Sequence, residues 1–176
     1  SEIVEALRTG KIDVLLLPGS NILSSYPDTH NLAAGLNNVD LVISTDLFMS
    51  ETARRAADII LPSTSWLEEL GCKATNTYLY LMDKVLDAPG ETKSFVDVLK
   101  ALADRLGLEK FYPWLTHEAC INAIIDHPFT GHATVAKLRK SNGRAALQTS
   151  HVAYPTHSYH TPSGKIEFYS NRAEQA

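Results

Sequence analysis

Two short polar runs in this chain each follow an aliphatic stretch. Gly19-Ser20-Asn21 follows Val14-Leu15-Leu16-Leu17-Pro18, and Ser44-Thr45-Asp46 follows Leu41-Val42-Ile43. Glycine lets a ligand approach the backbone, and asparagine supplies both donors and acceptors. An ionised Asp46 only accepts; it suits two parallel N–H bonds from a guanine edge, or a ribose hydroxyl. Ser50-Glu51-Thr52-Ala53 comes next, with Ser50 as a helix cap and a first turn whose N–H groups suit a phosphate. Together Gly19, Ser20, Asn21, Thr45, Asp46 and Ser50 have the chemistry to hold one nucleotide. Each also has a purely structural reading: a common turn, a loop brace, an N-cap.

Other reactive side chains are less organised. His151, His157 and His160 gather near Glu167, but no H-E-x-x-H pair places two imidazoles on one helix face. His117, His127 and His132 border helical stretches, where capping or packing is the default. Glu68-Glu69 reads as a capping pair, and Tyr112-Pro113-Trp114 as a hydrophobic plug. Cys72 adjoins Lys73, and neither Cys72 nor Cys120 has the basic surroundings of a reactive thiolate. Neither G-x-G-x-x-G nor G-x-x-x-x-G-K-[ST] occurs, which removes the main support for NAD-type and P-loop sites.

The elements that must position these residues follow from local pattern. Residues 14–17, 41–43 and 59–61 are continuous aliphatic runs, as strands buried on both faces are. Between them lie helical segments: about 28–36 with Asp28 as cap, and one from Ser50 through Ala57. Ile3 to Leu7 precedes the first run as a short helix. This alternation predicts βαβ units with right-handed crossovers, an α/β fold with a Rossmann-like, mostly parallel sheet flanked by helices. In such sheets ligands sit beyond the C-terminal strand ends, where the two polar runs fall. Neighbouring strand tips lie about 5 Å apart, close enough to grip one nucleotide together.

Farther along, Ser65-x-x-Glu68 has the form of a capping box for one more helix, and residues 77–82 read as extended. Phe95, Val98, Leu99, Leu102 and Leu106 share one helical face, with Ser94 as cap and Gly107 as stop. Weaker helices are expected over 116–126 and 132–140. From His151 the chain reads as an irregular tail with one strand, Lys165 to Tyr169.

Composition bounds the function. The chain has 176 residues, 16 Lys+Arg against 20 Asp+Glu, a net charge of −4, and two cysteines. A disulfide scaffold and a C-x-x-C metal site within the chain are excluded. A basic nucleic-acid surface and an apolar run of membrane-span length are absent from the sequence, so neither nucleic acid nor direct membrane insertion is expected.

The motifs, taken in order, resemble the molybdopterin oxidoreductase family of the dimethyl sulfoxide reductase type. The resemblance is carried by Leu17-Pro18-Gly19-Ser20-Asn21, Thr45-Asp46 with Ser50-Glu51-Thr52-Ala53, and Ala57-Asp58-Ile59-Ile60-Leu61-Pro62. Trp66-Leu67-Glu68 with Gly71 and Thr75-Asn76-Thr77, Ala88-Pro89-Gly90-Glu91, and Thr161 through Ser170 extend it over nearly the whole chain.

This resemblance implies a fragment of a much longer enzyme carrying a bis(molybdopterin guanine dinucleotide) molybdenum or tungsten centre. Residues 1–150 would be part of its third, α/β domain, and residues 151–176 a linker or the start of the C-terminal domain. The family's cofactor contacts fall on Asn21 and on Thr45-Asp46, with Asp46 accepting from guanine. Its catalytic and metal-ligating residues have no counterparts here, so the fragment alone is expected to be inactive and to bind no cofactor. Implied partners are the parent's remaining domains and an iron–sulfur electron-transfer subunit. The expected compartment is the cytoplasm, with the periplasm as the alternative. Some positions depart from the family: Ile22 stands where Pro is common, Glu69 where some members have Lys, Phe95 where some have Asp, and Tyr78-Leu79-Tyr80 where many have Glu-Gly-Arg. These departures favour an alternative, a non-catalytic α/β nucleotide-binding or interaction module that has lost the cofactor.

Overall fold

The computed structural model describes residues 2–150 and 152–169. Its first half is built from the aliphatic runs. β1 (Val14–Pro18), β2 (Leu41–Asp46) and β3 (Ile59–Pro62) form a three-stranded sheet in the order β1-β2-β3. Both pairings are parallel, with Leu16 opposite Ile43 and Ile43 opposite Ile59. All three strands therefore end at the same edge of the sheet, as the alternation of runs and helices predicts.

Helices cover both faces. α1 (Glu2–Arg8), α2 (Ile22–Ser25), α3 (Thr29–Leu36) and α4 (Glu51–Ala56) supply one layer. Its core is Leu7, Leu23, Leu32 and Leu36, packed with Leu15 of β1 and Ala56 of α4. α1 and α3 cross closely, since a Cβ on Gly35 would lie 2.9 Å from the Leu7 Cβ. On the opposite face Leu16, Ile43 and Leu61 look across a cavity of about 300 Å³ toward Val98, Ala101 and Leu102. Those three belong to α5 (Phe95–Leu106), capped by Ser94 and stopped by Gly107 in the left-handed conformation (φ 67°). The caps at Asp28, Ser50 and Ser94 all accept from a backbone N–H three residues on, which is why the helices start where they do.

A second, antiparallel sheet follows, of which sequence patterning foretells only the central strand, the extended run over residues 77–82. β4 (Gly71–Ala74), β5 (Tyr78–Met82) and β6 (Arg144–Ala146) pair in the order β4-β5-β6. Its inner face packs on α6 (His117–Ile125) and α7 (Val135–Lys140) through Leu79, Ile121, Ile125, Val135 and Leu138. The segment before α5 is tied to the end of β3, where the Lys93 N–H donates to the Pro62 carbonyl and the Thr64 N–H donates to the Lys93 carbonyl.

Two expected elements are not formed. Glu68 does accept from the Ser65 N–H at 2.9 Å, as a capping box requires, but the chain turns there and no helix follows. No strand forms over the described part of the tail, where Lys165 to Tyr169 are irregular. The Lys165 N–H donates to Ser163 Oγ, and Thr161 Oγ1 donates to the Lys165 carbonyl; these local bonds replace strand pairing. His151 lies outside the described residues.

Candidate functional site at the strand ends

The sheet brings the two polar runs side by side. Pro18 is opposite Thr45, and one residue beyond β1 the Gly19 N–H donates to the Thr45 carbonyl at 2.7 Å. Gly19 has φ +52°, a left-handed conformation that lets the chain turn out of the strand at once. Ser20 Oγ closes the turn by donating to the Pro18 carbonyl. The Ser20 and Asn21 N–H groups have no acceptor among the described residues.

Asp46 ends β2. Its Oδ1 accepts from the N–H groups of Leu47 at 2.8 Å and Phe48 at 3.4 Å, an Asx turn that fixes the carboxylate. Its Oδ2 takes no hydrogen bond from any described residue, so half of the acceptor capacity remains open. Leu47, Phe48 and Met49 follow as exposed apolar side chains, Phe48 being 80% exposed. Thr45 itself is buried.

Asn21 is committed inward. Its Oδ1 accepts from both the backbone N–H and the hydroxyl of Thr52, at 3.1 and 2.9 Å, and its Nδ2 donates to Ser24 Oγ at 3.0 Å. The loop after β1 is thus bonded to the start of α4. Most donors of that helix start are taken: the Thr52 N–H by Asn21, the Ala53 N–H by Ser50 Oγ, and the Arg54 N–H by the Ser50 carbonyl. Ser50 therefore acts as a cap, and Glu51 adds a negative charge beside it.

Beyond the end of β3 a polar cavity of about 320 Å³ is lined by Thr64, Glu68, Glu69, Lys93, Ser94 and Asp97 among others. Glu69 accepts from Thr64 Oγ1 at 2.7 Å. The strand-end rule could have pointed to Thr64. Lys93 arrives through its backbone pairing with the β3 end, which leaves no mark in the sequence.

Among the described residues no group of three or more His, Cys, Asp or Glu is placed to hold a metal ion. His160 lies near the Tyr154 ring, at 6.3 Å between centroids. Burial and the nearby Asp83 push the Cys72 thiol above its ordinary range, the reverse of what a nucleophile needs. Cys120 is buried, with its sulfur bonded by the Tyr112 hydroxyl. No helix among the described residues is long and apolar enough to cross a membrane.

A parallel three-stranded sheet flanked by helices defines an α/β protein of the Rossmann-like class, in which ligands sit beyond the C-terminal strand ends. The comparisons narrow this. The family model for molybdopterin oxidoreductases matches residues 1–105, and the chain belongs to that family. Acetylene hydratase of Syntrophotalea acetylenica is 32% identical over 172 residues, covering 89% of this chain and 21% of the relative. The F420-dependent formate dehydrogenase 1 subunit alpha of Methanococcus maripaludis is 31% identical over 115 residues, covering 65% of this chain and 17% of the relative. Acetylene hydratase from Pelobacter acetylenicus is structurally similar, with a TM-score of 0.73 at 26% identity over 98% of this chain and 24% of that structure. The chain therefore spans about a fifth of the length of these curated relatives.

Proposed function

We propose that this chain is a part of a larger molybdenum- or tungsten-dependent oxidoreductase, and that its strand-end crevice holds a guanosine end of a bis(molybdopterin guanine dinucleotide). The observation that carries the reading is Asp46, whose Oδ1 is fixed by its own turn while Oδ2 stays open beside the tip of β1. The open Oδ2 of a carboxylate held in that way can accept from an N–H donor on the guanine edge. Gly19 and Ser20 would line the approach, with the Ser20 and Asn21 N–H groups available to acceptors on the ligand, while buried Thr45 braces the strand tips through its carbonyl. When bound, the metal and pterins supply the two-electron redox chemistry, and this chain's residues hold and orient one end of the group.

The chain alone is expected to be inactive, and the parent to work with an iron–sulfur electron-transfer partner, in the cytoplasm. The exposed apolar loop Leu47-Phe48-Met49 supports burial against other domains of that parent. In the full-length enzyme, Asp46→Ala should weaken cofactor retention by about 1.5–3 kcal/mol for each charge-assisted bond lost, roughly 10- to 100-fold. Metal and guanine content equal to wild type would remove Asp46 from the site.

A second reading, a non-catalytic module that has lost the cofactor, is favoured by Glu69. Its carboxylate bonds Thr64 and makes that part of the β3 cavity acidic. Metal and guanine analysis of the full-length protein separates the two, since the first reading expects both to be present and the second expects neither.

A further inference from the structure

We infer that Thr52 is a positioning residue whose hydrogen bonds to Asn21 and Leu23 latch the loop after β1 onto the start of α4. Thr52 is fully buried, and its one hydroxyl works in two directions. It donates to Asn21 Oδ1 at 2.9 Å and accepts from the Leu23 N–H at 2.9 Å, while the Thr52 N–H also donates to Asn21 Oδ1 at 3.1 Å. Three bonds thus join segments 29 to 31 residues apart in sequence.

The consequence is geometric. Residues 19–21 leave β1, and α4 follows directly on the Asp46 turn of β2, so a bond between Asn21 and Thr52 sets how far apart the two loops stand. The Gly19–Thr45 backbone bond fixes the strand tips themselves, and the latch fixes what lies outside them. Asn21 serves the site through this fixed loop rather than by presenting its carboxamide oxygen to a ligand, because that oxygen already takes two bonds. Valine has nearly the shape of threonine without the hydroxyl; at position 52 it would leave the Leu23 N–H buried without an acceptor. Serine would keep the hydroxyl.

The guanosine reading enters only in what the latch positions, so the test has separate readouts. In the full-length enzyme containing this chain, Thr52→Val, Thr52→Ser, Asn21→Ala and Asp46→Ala are compared with wild type. Amide exchange over residues 19–25 reports the latch, and GMP released by acid per polypeptide reports the bound nucleotide. Thr52→Val should exchange about tenfold faster or more over that segment and carry severalfold less GMP. Thr52→Ser should restore both. Asn21→Ala, at a half-buried site, gives the same result as Thr52→Val and serves if the valine variant does not fold. Wild-type exchange in Thr52→Val or Asn21→Ala overturns the latch. Faster exchange with undiminished GMP, in a series where Asp46→Ala loses its nucleotide, overturns the positioning role. Absence of GMP from wild type overturns the guanosine reading instead, and the latch is then decided by the exchange alone.

Discussion

The Gly19 N–H donates to the Thr45 carbonyl oxygen at 2.7 Å, so β1 and β2 stay bonded one residue past the end of β1. That residue has φ +52°, and apart from its two chain neighbours no described residue comes within 4 Å of where a Cβ would stand. The cost of a side chain there is one of backbone conformation alone.

Gly19→Ala should therefore destabilise the chain by about 1–2 kcal/mol, the price of a left-handed alanine. Urea unfolding would measure it. A loss well above that range would mean that the loop is more crowded than its geometry indicates.

At the other end of the same sheet, Asp58 closes the ladder before β3 begins. Its Oδ2 accepts from the Val42 N–H at 2.8 Å, and its own N–H donates to the Val42 carbonyl at 2.9 Å. Val42 is buried, so Asp58→Ala leaves an N–H without a partner, at a cost of about 1–3 kcal/mol. Asp58→Asn keeps an acceptor and should lose clearly less. Equal losses for the two variants in denaturant melts would show that the carboxylate oxygen is not what Val42 needs.

How much of this could be read from sequence depended on whether the cause was local. Ser50, Asp28 and Ser94 cap their helices through bonds to residues three positions on, and the aliphatic runs form the parallel strands. Of the second sheet only β5 was legible, as the extended run over 77–82; the rest was hidden because Gly-Cys-Lys-Ala has little strand character of its own, and three-residue β6 is a strand only by pairing with distant β5. Ser65 and Glu68 show the converse: the local capping bond forms, and no helix follows it. At the site, Gly19, Asn21 and Asp46 were legible as residues following aliphatic runs, at or just past the strand ends. Thr52 was not, because its role lies in bonds to Asn21, 31 residues away.

Asp83 should contribute to the acid sensitivity of the fold. The Arg139 guanidinium donates to both its oxygens and holds its carboxyl below the usual carboxylate range. A carboxyl lowered in the folded state adds stability that is complete above the unfolded value of about 3.9 and fades as pH falls through the folded value. Arg139→Gln, which also frees Glu118, should thus lower the melting temperature at pH 5–7 by an amount that shrinks as pH falls through the lowered carboxyl value. Both partners are substantially exposed, so high salt should reduce the gap as well. A difference between the proteins that persists unchanged into strong acid would rule out the ion pair as its source.

Ser44 offers a change in the opposite direction. Its hydroxyl is the buried side-chain polar atom without a hydrogen-bond partner among the described residues, on a fully buried residue of β2. β2 carries α4 against it, and Thr52 and Ala53 of that helix are fully buried. A hydroxyl kept from water with no acceptor lowers stability by about 1–3 kcal/mol in comparable proteins. Ser44→Ala removes it at nearly the same volume and should stabilise the chain by about 1 kcal/mol. Ser44→Val also removes it but adds two methyl groups beneath α4, where overpacking costs about 1–3 kcal/mol. Thermal melts should therefore rank alanine above serine, and serine above valine. If alanine melts below serine, the hydroxyl has a partner in solution, and the strand was never missing a bond there.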